Sequence, residues 1–549
     1  MLEGCTPYPE ERAKAYRENG CWRGQTLSAL PEQWARAFGD RAALIEVNGR
    51  TSYAELAVRV DRMAAGFLAR GLRAGDRVIV QLPNTAEFVV VFFALLRIDA
   101  KPVFSLVAHR ANEIRHLCAA SGAVAHIVAG DQPGLDHIAL ARDVIGECPT
   151  LRMVFVSRGE TSADQTGAAA PVTFVPLSDV DAEPTALPVP DSGDVAFFLL
   201  SGGTTALPKL IPRTHDDYLY QISRTAELLG ISSDDRYLAT LPLEFNFTWG
   251  CPGVLGTLSV GGGVVLAADP DPYECFEAIE REQVTFTSVV PAVAQLWLEA
   301  LAEAPFDVSS LRVLQIGGAP LARNVAERVR AEFGCVLQQV FGMAEGMISF
   351  TLPSDSTETI LSTQGRPISP FDEVRIVDES GAVLVPEQTG ELLVRGPYTL
   401  CGYYRAPEHN ARAFTADGFY RTGDLARLTG AGELIIEGRI KDVIIRAGQK
   451  ISAAELEGHL LALPSVDRVA VVGQADPDLG EAICAYIMPA GSPPLLREMR
   501  DALRGRGIAE FKLPDRLEII DDLPLTGLGK VDKSALVRLS THDVVSETR

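Results

Sequence analysis

The stretch Ser201-Gly202-Gly203-Thr204-Thr205-Ala206-Leu207-Pro208-Lys209 concentrates hydroxyls, adjacent glycines and an ammonium in one loop. Glycine backbone can approach a ligand closely. Amides and hydroxyls can then wrap phosphate oxygens while Lys209 adds a point charge. The same residues also make an ordinary turn at a strand end, and the G-x-x-x-x-G-K-[ST] spacing of a Walker loop is absent. The loop alone leaves both readings open. Two more strand-like runs end in glycines. Val313 to Ile316 leads into Gly317-Gly318-Ala319-Pro320, and Val336-Leu337-Gln338-Gln339-Val340-Phe341 leads through Gly342-Met343-Ala344 to the acid Glu345. A further segment, Glu244-Phe245-Asn246-Phe247-Thr248-Trp249-Gly250-Cys251, sets aromatic rings beside one amide and one thiol. Such a set suits a pocket for a flat ligand, and it equally suits aromatic core.

The elements that must carry these residues alternate in type. Val195 to Leu200 reads as a buried strand, and a helix is predicted from near Thr214 to Leu229-Gly230. Ala42 to Val47 reads as a strand with an Asn48-Gly49 turn. Ser52 and Glu55 have capping-box spacing for a following helix. Val78 to Leu82 and Arg236 to Leu243 read as strands, and Glu87 to Ile98 as a Phe- and Val-rich buried helix. This alternation predicts an α/β fold with two doubly wound parallel sheets, whose ligands sit outside the strand carboxyl ends. Residues 157–193, rich in Ser, Thr, Asp, Pro and Ala, read as a long surface connection. From about residue 365, short β-type segments between Gly and Pro turns predict a small antiparallel barrel or sheet. Leu434 to Asp442 reads as a strand leaving one domain for another, which divides the chain into 1–438 and 439–549. The second part pairs short strands with helices and ends in an exposed glycine loop presenting Lys530.

Composition narrows the function classes. A chain of 549 residues exceeds the usual size of one domain. A net charge of −22, from 50 basic and 72 acidic residues, argues against a general nucleic-acid or anionic-membrane surface. The nine cysteines form no C-x-x-C pair and no zinc-type cluster, which suits a reducing compartment. Met1-Leu2-Glu3-Gly4 has no signal-peptide pattern, and the longest apolar run, Phe88 to Leu96, is too short to span a bilayer. The expectation is a soluble, cytoplasmic protein.

The loop 201–209, Phe341 to Glu345, Tyr420-Arg421-Thr422-Gly423-Asp424, Gly438-Arg439-Ile440-Lys441-Asp442 and the loop ending at Lys530 occur in one order. Together they resemble the core motifs of the adenylate-forming ligase superfamily over roughly residues 27–535. Lys209 to Tyr218, Leu337 to Gly346 and Arg395 to Thr399 are most similar to the stand-alone aryl-acid adenylating enzymes of siderophore and related nonribosomal pathways. The resemblance implies a large N-terminal domain of two sheets plus a small β-barrel, and a small mobile α+β C-terminal domain hinged near Lys441. It implies ATP and Mg²⁺, and two steps: an aryl carboxylate gives aryl-AMP and pyrophosphate, and the phosphopantetheine thiol of an aryl carrier protein then takes the acyl group.

The same resemblance assigns roles. Lys530 would bridge carboxylate and α-phosphate. Ser201, Gly202, Gly203, Thr204, Thr205 and Lys209 would hold the β- and γ-phosphates, and Glu345 would help hold Mg²⁺. Asp424 would bind the ribose, with Arg439 beside it. Gly317, Gly318, Ala319, Gln339, Val340 and Phe341 would flank the adenine, with Gly342, Met343 and Ala344 continuing that wall. Gly448 would leave room for pantetheine. Asn246, Phe247 and Cys251, with Gly317 and Gly342, would read the acid. Phe and Cys at 247 and 251 are similar to salicylate-type members, where dihydroxybenzoate-type members tend to have Tyr and Ser. Phe245, where relatives usually have His, and Thr248-Trp249-Gly250 depart from the pattern and leave 2,3-dihydroxybenzoate, 6-methylsalicylate or 3-hydroxypicolinate open. Coenzyme A is the alternative acceptor.

Overall fold

Four sheets organise the chain. The computed structural model describes residues 1–132, 134–159, 172–187, 189–201, 207–303, 306–447, 449–477, 479–526 and 530–543. One sheet has nine strands, in the order Arg366–Pro367, Gly346–Phe350, Val336–Met343, Val313–Gly317, Phe286–Val289, Arg236–Ala239, Gly263–Leu266, Ala42–Glu46 and Gly49–Ser52. Its central strands, from Val336–Met343 to Ala42–Glu46, are parallel, and its edges are antiparallel. The second sheet runs Thr173–Pro176, Met153–Ser157, Ala125–Ala129, Arg77–Gln81, Lys101–Phe104, Val195–Leu200 and Leu210–Thr214. Only its last strand is antiparallel.

Both sheets are doubly wound, and the winding locates a crevice. Arg236–Ala239 has Gly263–Leu266 on one side and Phe286–Val289 on the other, so later crossovers leave it in opposite directions. Ligands of open α/β sheets sit outside the carboxyl ends at such a switch point. Asn246 lies just beyond that end, on the one-turn helix Asn246–Gly250.

Local chemistry sets the helix that faces this crevice. Thr214 ends the strand Leu210–Thr214, and its hydroxyl accepts from the Asp217 amide. The Asp217 carboxylate accepts from the Thr214 N–H, closing a capping box that starts the helix His215–Leu229. Gly230 stops the helix in the left-handed conformation, at φ 65°.

The helix Ala86–Arg97 is apolar nearly all round and is buried along most of its length. Trp249, also fully buried, meets the rings of Phe88, Phe92 and Phe104 edge-on or nearly so, with centroids 5.4, 5.0 and 5.8 Å away. The segment after Glu244 is therefore split. Trp249 anchors it in the core, while Asn246 and Phe247 stay half-buried.

The small antiparallel unit expected beyond residue 365 is a four-stranded sheet, Glu373–Val377, Gly390–Arg395, Tyr420–Leu428 and Leu434–Arg439. After Ile440–Asp442, a five-stranded sheet with its own apolar core begins at Val443–Arg446 and is flanked by helices Ala453–Leu461 and Leu496–Gly505. The mixed α/β architecture matches the expected fold class. The stretch expected to be only a surface connection contains the edge strand Thr173–Pro176, parallel to Met153–Ser157. Its few residues carry no periodicity to distinguish it. Among the described residues no helix is long and apolar enough to cross a membrane.

Removing the Trp249 ring deletes a large fully buried side chain. Trp249→Ala is expected to cost about 3–5 kcal/mol, read as a lower urea midpoint, and to loosen the segment that carries Asn246.

Candidate active site

Three strand ends and two loops converge on one crevice. An ideal Cβ on Gly317 would stand 2.6 Å from the Val340 carbonyl oxygen and 3.3 Å from Phe247 Cζ. Only glycine lets the Phe247 ring lie this close to the strand end. Cys251 is buried beside Val340, Ile348 and Tyr398, with Phe247 against the same cluster. Burial pushes its thiol up to about 12, so it is a neutral, weakly polar wall.

The Asn246 side chain is held from three sides. Its Oδ1 accepts from Tyr218 Oη at 2.9 Å and from Gln221 Nε2 at 2.9 Å, and its Nδ2 lies 3.3 Å from the Met343 carbonyl. Tyr218 and Gln221 belong to the helix His215–Leu229 and are buried with Asp217 and Thr225. Arg213, just before that helix, has no exposed surface. It donates to Asp217 and Gln221 at 2.9 Å and to the Ala344 carbonyl at 3.1 Å.

Glu345 follows Ala344 and is buried. Tyr403 Oη donates to its Oε1 at 2.7 Å and receives Tyr420 Oη at 2.8 Å. Lys209 Nζ stands 5.5 Å from the centre of the same Tyr403 ring. The neck of the loop is closed by paired bonds: Ser201 N–H to the Lys209 carbonyl, and Lys209 N–H to Ser201 Oγ, each 3.0 Å. Gly202, Gly203, Thr204 and Thr205 lie outside the described residues, as does Gly448.

Asp424 and Arg439 pair across neighbouring strands, with Arg439 Nε 2.6 Å from Asp424 Oδ1. Burial raises the Asp424 carboxyl to about 6, although Arg439, Lys530 and the Thr422 hydroxyl all pull it down. Lys530 is half-buried, not presented to solvent as its sequence context suggested. An ideal Cβ on Gly318 would lie 3.7 Å from Lys530 Cε, so the side chain reaches the strand end Val313–Gly317. Burial lowers its affinity for a proton and Arg439 and Lys441 lower it further, while Asp424 and Glu345 oppose them. Lys441 sits on the turn Ile440–Asp442 that joins the four-stranded sheet to the C-terminal unit.

Gly318, Ala319 and Gly342 are exposed at the rim, with Phe341, Met343 and Ala344 half-buried and Val340 buried behind them. Gln339 points to the opposite face of the sheet from Val340. There its amide donates to the Ile360 carbonyl at 2.7 Å and accepts from Gln364 at 3.2 Å. Among the described residues no three His, Cys, Asp or Glu side chains cluster, so a cation at Glu345 would take most of its ligands from phosphate and water, as magnesium prefers. The sequence reading singled out neither Arg213, Gln221 nor Tyr403. The one available signal was Asp217, Gln221 and Thr225 at helical spacing, a polar stripe that ordinarily faces water.

This arrangement, Lys530, Arg439, Glu345 and Asp424 around a strand-end crevice with Ser201 and Lys209 at the neck of a neighbouring loop, suits nucleotide chemistry on a carboxylate. The profile of the AMP-binding enzymes matches residues 31–404, and that of the AMP-binding enzyme C-terminal domain matches residues 455–530. The chain belongs to the AMP-binding enzyme family. It is 49% identical to the 2,3-dihydroxybenzoate-AMP ligase of Bacillus subtilis, over 98% of this chain and 97% of that protein. It is 46% identical to the salicyl-AMP ligase / salicyl-S-ArCP synthetase of Mycobacterium tuberculosis, over 98% of this chain and 94% of that one. The apo structure of MbtA from Mycobacterium smegmatis is similar at a TM-score of 0.75 and 46% identity, covering 97% of this chain and 98% of that chain. This AMP-binding enzyme is an adenylate-forming ligase.

Glu244, two residues before Asn246, is an unusual load for this segment. It is buried, its Oε1 has no partner, and burial raises its carboxyl to about 8 although its own amide and that of Val107 favour the ionised form. The folded state therefore keeps a proton that the unfolded chain releases near pH 4.5. Stability is fully present below that pH and falls as pH rises toward 8. Glu244→Gln is expected to flatten this slope, by an amount on the order of a few kcal/mol between pH 5 and 8, measured by denaturant unfolding at a series of pH values.

Proposed function

We propose that this AMP-binding enzyme joins an aryl carboxylic acid, salicylate in preference, to AMP and then transfers it to the phosphopantetheine thiol of an aryl carrier protein. One carboxylate oxygen attacks the α-phosphorus and pyrophosphate leaves. The thiol then attacks the acyl carbon, loses its proton, and AMP leaves. The observation that carries the reading is the pocket itself. A fixed amide, Asn246, follows the strand end where Gly317 brings Phe247 and Val340 close together, with Cys251 in the same cluster and Lys530 reaching Gly318.

The first step brings two anions together, so charge and alignment matter more than a base. Lys530, which reaches the strand end at Gly318, would touch both the carboxylate and the α-phosphate. Lys209 and Ser201, with Gly202, Gly203, Thr204 and Thr205, take the departing pyrophosphate end. Asp424, with Arg439 beside it, takes the ribose hydroxyls, and Gly317 to Ala319 with Val340 to Ala344 line the adenine side. The engaged amide of Gln339 leaves its backbone as the part available there. Glu345, oriented by Tyr403, would hold Mg²⁺, which when bound neutralises phosphate charge. A division near 438–439, with Lys441 as hinge and Gly448 on the thiol path, lets the C-terminal unit exchange Lys530 for the acceptor.

Cys251 supports salicylate. A thiol is a poor partner for a 3-hydroxyl, and burying that hydroxyl unpaired costs about 1–3 kcal/mol.

Lys530→Ala is expected to abolish aryl-acid-dependent ATP–pyrophosphate exchange while equilibrium ATP binding persists; undiminished exchange refutes the role. Cys251→Ser is expected to raise kcat/KM for 2,3-dihydroxybenzoate relative to salicylate at least fivefold, and an unchanged ratio removes the thiol from ring selection. Thioester formation with an aryl carrier protein set against free coenzyme A decides the acceptor, and faster transfer to coenzyme A overturns the carrier assignment.

A further inference from the structure

The donors and acceptors behind Asn246 form a chain whose polarity has one consistent solution. Arg213 can only donate. Its Nη2 lies 2.9 Å from one end of the Gln221 amide, so that end is the oxygen. The other end is then Nε2, and it also lies 2.9 Å from the Gly250 carbonyl, which can only accept. The two anchors agree. Gln221 Nε2 next meets Asn246 at 2.9 Å, where the atom must be Oδ1. Tyr218 Oη donates to the same oxygen, and the Met343 carbonyl faces the opposite end, Nδ2. An ideal Cβ on Gly250 would stand 2.6 Å from Tyr218 Oη and 3.0 Å from Gln221 Nε2, so this contact leaves no room for another side chain.

We propose that Arg213 and Gln221 are positioning residues that dictate which end of the Asn246 amide meets the substrate. The inference rests on the reading that the aryl acid lies against Asn246. With Oδ1 saturated by two donors and one Nδ2 hydrogen directed at Met343, the group left for a ligand is the second Nδ2 hydrogen. The site therefore selects acids that present a lone pair there. Salicylate does so, because its phenolic hydrogen is held by its own carboxylate and its phenolic oxygen is free to accept. An ortho amino group, as in 2-aminobenzoate, has its lone pair drawn into the ring and offers a hydrogen instead, which the locked amide rejects. Arg213 also donates to the Ala344 carbonyl, so the same guanidinium holds the turn that carries Glu345.

The test uses the full chain in ATP–pyrophosphate exchange, with salicylate, 2-aminobenzoate and ATP varied separately. Gln221→Met keeps the volume and removes the lock. It is expected to raise KM for salicylate about tenfold, to leave KM for ATP within twofold, and to lower the salicylate to 2-aminobenzoate ratio of kcat/KM at least fivefold. A purely structural defect would lower activity with both acids equally, and an equal loss or an unchanged ratio overturns the proposal. Gln221→Glu provides the second arm. Beside the Arg213 guanidinium its carboxyl is ionised and can only accept, so the Asn246 amide is expected to turn its Nδ2 toward it and the salicylate to 2-aminobenzoate ratio of kcat/KM to fall at least tenfold. An unchanged ratio overturns the proposal. If the parent enzyme gives no exchange with either acid, the aryl-acid reading fails and takes this inference with it. If the parent is active and both variants keep its selectivity, this inference alone fails.

Discussion

Arg213 is a permanent positive charge with no contact with water, and much of the site is arranged by the need to satisfy it. An isolated buried cation is very costly, and it persists only with an excellent partner and saturated donors. Asp217 supplies the charge, and the Ala344 and Tyr398 carbonyls with the Gln221 oxygen supply the remaining acceptors. Each partner is itself a structural anchor. Asp217 caps the helix that faces the crevice, Ala344 precedes Glu345, and Gln221 holds Asn246. The Glu345 turn, the helix start and the Asn246 amide are thus bound to one group that cannot move without losing its solvation. Burial pushes the Asp217 carboxyl upward while Arg213 and the Thr214 bonds hold it down, so the charge state of the pair depends on the same contacts.

A second electrostatic balance governs the mouth of the crevice. Asp424 and Glu345 stand among Arg439, Lys530 and Lys441, and each group alters the proton affinity of another. Taking such charges out of water strengthens their mutual field. Lys530 arrives from the C-terminal unit, so its ammonium depends on acids and an arginine that belong to other elements. The contact ties the placement of the C-terminal unit to the charges gathered at the strand end. Separating the units would return Lys530 to water and leave Asp424 with Arg439 and Thr422 as its nearest support.

Local signals in the chain were legible where their physics is local. The Ser52–Glu55 capping box forms as its spacing implies, and Glu55 also accepts from the Ser52 backbone N–H. The buried helix near residues 87–98 spans Ala86–Arg97, and the helix expected from Thr214 to Gly230 is capped by those two residues. Longer-range chemistry was not legible. The aromatic segment around Trp249 left pocket and core both open, and Trp249 lies in the core, because its direction depends on where Phe88, Phe92 and Phe104 stand. Gln339 looked like a base-flanking residue, but alternation along its strand turns its side chain to Ile360 and Gln364. Asp217, Gln221 and Thr225 would face water on an isolated amphipathic helix. Here they face inward because Arg213 and Asn246 wait there.

By itself the sequence determined the α/β class, the order of the motifs, the reaction family and the candidate catalytic set, because each of these is written in residue type, spacing and order along the chain. Only the tertiary structure decided that Lys530 lies beside Gly318, that Tyr403 orients Glu345, and that the Asn246 amide can present only one of its ends. Those facts depend on hydrogen bonds between residues far apart in the chain, such as Tyr218 with Asn246 and Arg213 with Ala344. A donor's partner is settled by which strand ends meet in space, and spacing along the chain carries no record of that meeting.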